Sequence, residues 1–158
     1  MGKVVVPVGA ADLEGLRELF REYAAWLQVD YCLKDFEAEL AALPGDCVPP
    51  AGGLWAARVD GEVAGCVALK PLGERVAEIK RLWVRPAHRG LGLGRQLAEA
   101  ALQGAKAGDH RSVVLETLDF MTAAQTLYAE IGFREVPKGA APDNVRRLQC
   151  DLPLVATA

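Results

Sequence analysis

Leu82-Trp83-Val84-Arg85-Pro86-Ala87-His88-Arg89-Gly90-Leu91-Gly92-Leu93-Gly94-Arg95 is the stretch that decides the fold. The run from Ala77 to Val84 reads as a strand, and Arg85-Pro86 ends it. Three glycines follow, and then Leu93, Leu97, Ala101 and Leu102 recur at helical spacing, with an expected end near Gly104. A strand that passes through a glycine-rich turn into a helix gathers successive backbone N–H groups at one point. The helix N-terminus adds partial positive charge there. Such a point suits a pyrophosphate, and Arg89 and Arg95 can add direct charge. Two familiar phosphate patterns fail. A P-loop ends in Gly-Lys-Ser/Thr, whereas Gly94 is followed by Arg95-Gln96. A dinucleotide fingerprint needs G-x-G-x-x-G opening a βαβ unit, whereas Gly90-x-Gly92-x-Gly94 follows a hairpin.

Upstream, Val4 to Val8 reads as a strand, and Asp12 is placed to cap a helix bearing Leu13, Leu16, Phe20, Tyr23 and Leu27. Phe36, Leu40 and Leu43 predict a shorter helix ended by Pro44-Gly45. Leu54–Val59 and Glu62–Leu69 flank Asp60-Gly61 as a hairpin. Downstream, Ser112–Thr117 reads as a buried strand, and Ala123–Ile131 as a helix with Gly132 as its left-handed cap. Val145–Leu152 reads as the last strand. The order β-α-α-β-β-β-α-β-α-β predicts one α/β (α+β) domain over residues 1–158, a mixed sheet with helices on its faces.

Arg89-x-x-Gly92-x-Gly94 matches the acetyltransferase pattern Arg/Gln-x-x-Gly-x-Gly/Ala. With its flanks, Glu78 to Arg95 resembles the central motif of the GNAT N-acetyltransferases. Leu127-Tyr128-Ala129-Glu130-Ile131-Gly132-Phe133 resembles the Leu-Tyr-x-x-x-Gly-Phe signature of the same family, one strand later. The resemblance spans roughly Leu54 to Glu135 and implies a GNAT fold. It also implies acetyl-CoA as cosubstrate, with transfer of its acetyl group to a primary amine by direct attack in a ternary complex. The backbone of Leu82, Trp83 and Val84 would hold the pantetheine arm, and Arg89, Gly90, Leu91, Gly92, Leu93, Gly94 and Arg95 the pyrophosphate. Tyr128 maps onto the general acid that protonates the leaving thiolate. Glu116 and Glu78 are both candidates for the base, with Glu116 slightly ahead, since some relatives carry a glutamate at that place on the strand after the cofactor helix. Where many relatives carry Asn seven residues before the tyrosine, this chain has Met121. Tyr31-Cys32-Leu33 and Gly65-Cys66-Val67-Ala68-Leu69 look like a bacterial subgroup of unassigned substrate.

Composition narrows the remaining classes. The 158 residues are 51% hydrophobic and 25% charged, as in an ordinary globular chain able to bury a core. A net charge of −3 argues against a broad nucleic-acid surface. No apolar run approaches the ~20 residues of a membrane span. The start, Met1-Gly2-Lys3-Val4-Val5-Val6-Pro7, lacks a signal-peptide pattern, so the expectation is a cytoplasmic protein. Four scattered cysteines (32, 47, 66, 150) and two histidines give no zinc spacing, so no metal is expected. Ser112 is the sole serine, which disfavours a serine nucleophile. The acceptor, a small metabolite or a protein amine, is expected to meet the tail after Val136 and the segment from Trp26 to Pro50, where Asp30, Tyr31, Lys34, Asp35 and Asp46 mix charge. A homodimer is expected from the resemblance alone. The rival from another class is a non-catalytic acyl-CoA-binding regulator of the same fold.

Overall fold

The computed structural model describes residues 2–27, 33 and 35–153. Gln28 to Cys32 and Lys34 lie outside the described residues, and with them Asp30, Tyr31 and Lys34 of the residues expected to shape the acceptor. Seven strands form one sheet: β1 (Lys3–Pro7), β2 (Gly53–Val59), β3 (Glu62–Gly73), β4 (Val76–Val84), β5 (Ser112–Leu118), β6 (Arg134–Val136) and β7 (Val145–Asp151). Their spatial order is β1-β2-β3-β4-β5-β7-β6. Neighbours are antiparallel except β4 and β5, which are joined in parallel through helix α3 (Leu93–Ala107). Helices α1 (Leu13–Leu27) and α2 (Phe36–Ala42) cover one face, and α3 covers the other.

Alternation along the strands divides the core in two. Val67, Leu69, Ile79, Val113 and Leu115 meet Leu97, Ala98, Ala101 and Leu102 of α3. Leu54, Cys66, Ala68 and Trp83 meet Leu16, Leu19 and Phe20 of α1 and Leu40 of α2. Asp60 and Gly61 both have positive φ (51° and 84°), as a tight two-residue hairpin turn requires.

Three local expectations need correction. The stretch after Gly132 carries a further strand, β6, which pairs only with β7. At three residues it is too short to show a period. Asp12 ends a 3₁₀ turn, where its carboxylate accepts from the Gly9 N–H at 3.1 Å and pairs with Arg58 at 2.8 Å. Finally, α3 continues past Gly104 to Ala107, because Gly104 makes room for a neighbour. A Cβ at Gly104 would stand 2.5 Å from the Trp55 ring, and the same ring lies 2.5 Å from a Cβ built at Gly53.

The feature that positions the site is a break in the β3–β4 register between Cys66 and Ala68. Arg81 sits there with φ 59°, in the left-handed region. Beyond this bulge the side-chain alternation of β4 is reversed. Ala77 and Ile79 pack against the α3 cluster before it, and Leu82 and Val84 after it. Trp83 consequently joins the α1 side. The parallel ladder to β5 stops early, covering only Val76–Glu78 against Ser112–Val114. The rest of the two strands diverges.

Helix propensity alone predicts that Gly104→Ala stabilises α3 by up to ~1 kcal/mol. Because Trp55 is hemmed in by Gly53 on its other side, overpacking should win. We expect a net loss of about 1–3 kcal/mol, read as a lower Tm. An unchanged or raised Tm would mean that the indole can move aside.

Candidate functional site

The divergence of β4 and β5 opens a cleft of about 940 Å³, walled by Glu78 to Val84, by Leu115 to Thr117, and by the start of α3. The Arg85 N–H donates to Ala64 O of β3 at 2.8 Å. Peptide groups alternate along a strand, so those of Leu82 and Val84 point the other way, into the cleft, while that of Trp83 faces β3. Half of β4 thus offers an unpaired edge to whatever occupies the cleft. An extended amide-bearing chain can complete such an edge as a strand would.

At the end of that edge α3 begins. Gly90 (φ 84°) and Gly92 (φ 78°) are left-handed, and a Cβ at either would meet nothing within 4 Å. The backbone therefore curls without side chains between it and the cleft. Gly92 is the N-cap of α3, and no side chain caps the helix. The N–H groups of the first turn are left for an anion. Two arginines stand beside them. The Arg89 guanidinium lies 4.9 Å from the centre of the Trp83 ring, and its Nε donates to Val84 O at 3.1 Å. Arg95 pairs with Glu99 at 3.5 Å and Glu130 at 3.2 Å. Leu91 is set back from the cleft wall. Its side chain packs on the core, and its carbonyl accepts from Lys3 Nζ at 2.6 Å.

Tyr128 enters the cleft from helix α4 (Thr122–Glu130). The end of α4 fixes its position: Phe133 N–H donates to Tyr128 O at 2.9 Å and Gly132 N–H to Ala129 O at 3.2 Å, with Gly132 at φ 112°. This closure turns Phe133 back onto Tyr128, with ring centres 5.5 Å apart. The spacing Tyr-x-x-x-Gly-Phe is the sequence form of that geometry. Burial pushes the Tyr128 phenol well above its ordinary pKa, so it holds its proton at neutral pH.

Glu78 and Glu116 both line the cleft. The register puts Glu78 beside Val114, so Glu78 and Glu116 share one sheet face, that of α1 and α2. Burial raises the Glu78 carboxyl above its usual range, opposed by Lys80 and reinforced by Glu116. Two of the thiols are poor nucleophiles: burial pushes Cys47 up to about 11 and Cys66 higher still. At Met121, the sulfur receives the Thr117 hydroxyl at 3.3 Å, so a thioether occupies the place expected of Asn. Gln125, which the sequence did not single out, ties down this loop by donating to Leu118 O at 2.9 Å. No group of three or more metal-ligating side chains forms among the described residues.

Two further features were not read from the sequence. Arg81 is 6% exposed and grips Glu39 through Nε (2.9 Å) and a second guanidinium nitrogen (2.7 Å). Burial acts to raise the Glu39 carboxyl, but Arg81, Lys80 and Lys70 leave it below its usual range. This pair ties α2 to the bulge. Second, Trp26 and Phe120 stand on the cleft wall with ring centres 5.8 Å apart.

Residues 13–133 match the model of the acetyltransferase (GNAT) family. An uncharacterized N-acetyltransferase of Schizosaccharomyces pombe is 37% identical over 125 residues, covering 78% of this chain and 77% of its own length. A GNAT-family acetyltransferase structure from Staphylococcus aureus superposes with a TM-score of 0.80 at 20% identity, over 96% of this chain and all of that one. PaiA N-acetyltransferase of Thermoplasma acidophilum, solved with coenzyme A, superposes at 0.71 with 18% identity, over 96% of this chain and all of that one. The latter two likenesses speak to the fold, and the first two findings to descent. With an interrupted β4–β5 ladder, an uncapped glycine-led α3 and a tyrosine held by a Gly-Phe turn, this chain belongs to the GNAT acetyltransferase family.

Proposed function

We propose that the chain transfers the acetyl group of acetyl-CoA to a primary amine by direct attack, with both substrates held in the β4–β5 cleft. The observation that carries this is the continuity of two binding surfaces: the unpaired β4 edge runs into the uncapped start of α3. The fit is chemical as well as spatial. An amide-bearing arm matches the edge, and a pyrophosphate matches the glycine-led N–H groups. Coenzyme A is also the ligand of the Thermoplasma structure that shares the fold. When bound, the cosubstrate supplies an activated thioester.

The chain's own groups divide the remaining work. The peptides of Leu82 and Val84 orient the arm, and an N–H in that stretch polarises the carbonyl. The first turn of α3, with Arg89 and Arg95, neutralises the phosphates. Tyr128, protonated at neutral pH, donates its proton to the departing sulfur. Glu116 or Glu78 takes the proton that the acceptor ammonium must lose, directly or through water. Glu78 has the raised carboxyl that such a base needs.

The proposal is tested by coenzyme A release with a panel of primary amines. Binding of acetyl-CoA without turnover on a broad panel would give the regulator reading instead. For the cosubstrate site, Gly92→Val should abolish acetyl-CoA binding in a calorimetric titration while circular dichroism shows a folded chain. Unchanged affinity would move the cosubstrate elsewhere.

Tyr128→Phe keeps the ring packed on Phe133 and removes only the hydroxyl. Turnover should fall about 10- to 1,000-fold with acetyl-CoA affinity nearly intact. Wild-type turnover would return Tyr128 to a packing role.

Glu78→Gln and Glu116→Gln should differ in rate–pH profiles. The base must be ionised, so wild-type activity falls as pH drops through its pKa, and the variant that lacks the base loses that limb. Glu78 has a second readout. Its proton is held more tightly folded than unfolded, so its stabilising effect is full at acid pH and lost as pH rises through the raised value. Glu78→Gln should therefore raise Tm at pH 7 more than at pH 4. Full activity of both variants across the pH range would leave proton removal to solvent.

A further inference from the structure

Five large apolar side chains are exposed among the described residues, and two of them are aromatic: Trp26 (45%) and Phe120 (59%). Both line the cleft. Trp26 lies in the last turn of α1, and Phe120 in the turn that follows β5, so the two arrive from opposite sides of the opening. Their planes are tilted by 60°, which makes a corner rather than a stack. The back of the corner is closed by more rings. Trp83 lies 5.4 Å from Trp26, and Tyr23 lies 6.5 Å from Trp26 and 6.0 Å from Trp83.

We infer that this corner is the seat of the acceptor's side chain, and that the acceptor is an amine carrying an aromatic ring on a short linker. The inference rests on the acetyl-transfer reading and names the substrate class for it. Concave apolar surface left open inside a cleft marks a ligand. Tilted rings about 5–6 Å apart offer edges and faces that a third ring completes better than an aliphatic chain does. Among the described residues, two arginines beside these rings are paired. Glu22 holds Arg85 at 2.8 Å and receives the Trp83 Nε1–H at 3.3 Å, and Arg81 is held by Glu39.

The position also fits. Trp83 faces α1, the same side of the sheet as Glu78 and Glu116. Phe120 stands four positions after Glu116, about 13 Å of extended chain at most. An ammonium beside the two carboxylates and a ring in the corner would thus sit in the same cleft, joined by a short linker. Arg89, the arginine assigned to the pyrophosphate, lies 4.9 Å from the centre of the Trp83 ring, so the corner borders the cosubstrate's side of the cleft.

The experiment compares kcat/KM for 2-phenylethylamine and ethylamine with acetyl-CoA, in the wild type and in Trp26→Ala, Phe120→Ala and Phe120→Leu. The wild type should prefer the phenyl substrate by about 10- to 100-fold. Each alanine variant should shrink that ratio about tenfold, with Phe120→Leu in between. A second readout needs no turnover: titration of 2-phenylethylamine into protein saturated with coenzyme A should give binding that the alanine variants weaken. Equal kcat/KM for both amines in an active wild type overturns the inference and leaves acetyl transfer standing. A change of preference between acetyl-CoA and hexanoyl-CoA in the variants, with amine preference unmoved, assigns the corner to the acyl chain and also overturns it. Acetyl-CoA binding with no transfer to either amine removes the reading beneath it, and the inference falls with it.

Discussion

The grip of Arg81 on Glu39 is the contact on which the site depends. A non-glycine residue in the left-handed region costs of order 1 kcal/mol, and the structure holds one in the middle of its longest parallel-flanked strand. Two hydrogen bonds to a carboxylate offset that cost, and the rings of Tyr23 and Phe36 lie 5.9 and 5.4 Å from the guanidinium. Both charges are largely out of solvent, so removing either would strand the other. The bulge turns the end of β4 away from β5 and so makes the cleft. Helix α2, which contributes little surface of its own, matters because it delivers Glu39.

Within the cleft, burial acts in the same direction on two groups with different consequences. It keeps the Tyr128 phenol protonated, and it raises the Glu78 carboxyl above its usual range. The buried thiols Cys47 and Cys66 are raised in the same way and so are removed from nucleophilic chemistry. The arginines beside the start of α3 remain in or near solvent, where they can exchange partners. Arg89 rests on the Val84 carbonyl and Arg95 on two surface glutamates.

How much of this was legible in the sequence depends on range. The glycine turn and the Tyr-x-x-x-Gly-Phe closure are local devices, in which left-handed glycines and a helix end are encoded within a few residues. They were readable as such, and the hairpin at Asp60-Gly61 likewise. The last three residues of α3 were not, because the reason that Gly104 sits inside a helix is an indole from β2, some fifty residues away in the chain. The pairing of Arg81 with Glu39 and the corner of Trp26 and Phe120 are also long-range meetings. Each residue looks unremarkable in its own segment. Strand β6 failed for a different cause, since three residues cannot display an alternation.

The bulge at Arg81 also fixes a parity. Residues 77 and 79 face α3, and so do 82 and 84, so one extra residue has been absorbed between them. Drawing the strand straight with every residue kept would send Trp83 into the α3 core, expose Leu82 and Val84 on the opposite side, and exchange which peptide groups look into the cleft. Deleting one residue between Lys80 and Leu82 would instead leave both faces as they are and erase the bulge itself, so that nothing would turn β4 away from β5. The extra residue is therefore the part of the strand that holds the cleft open.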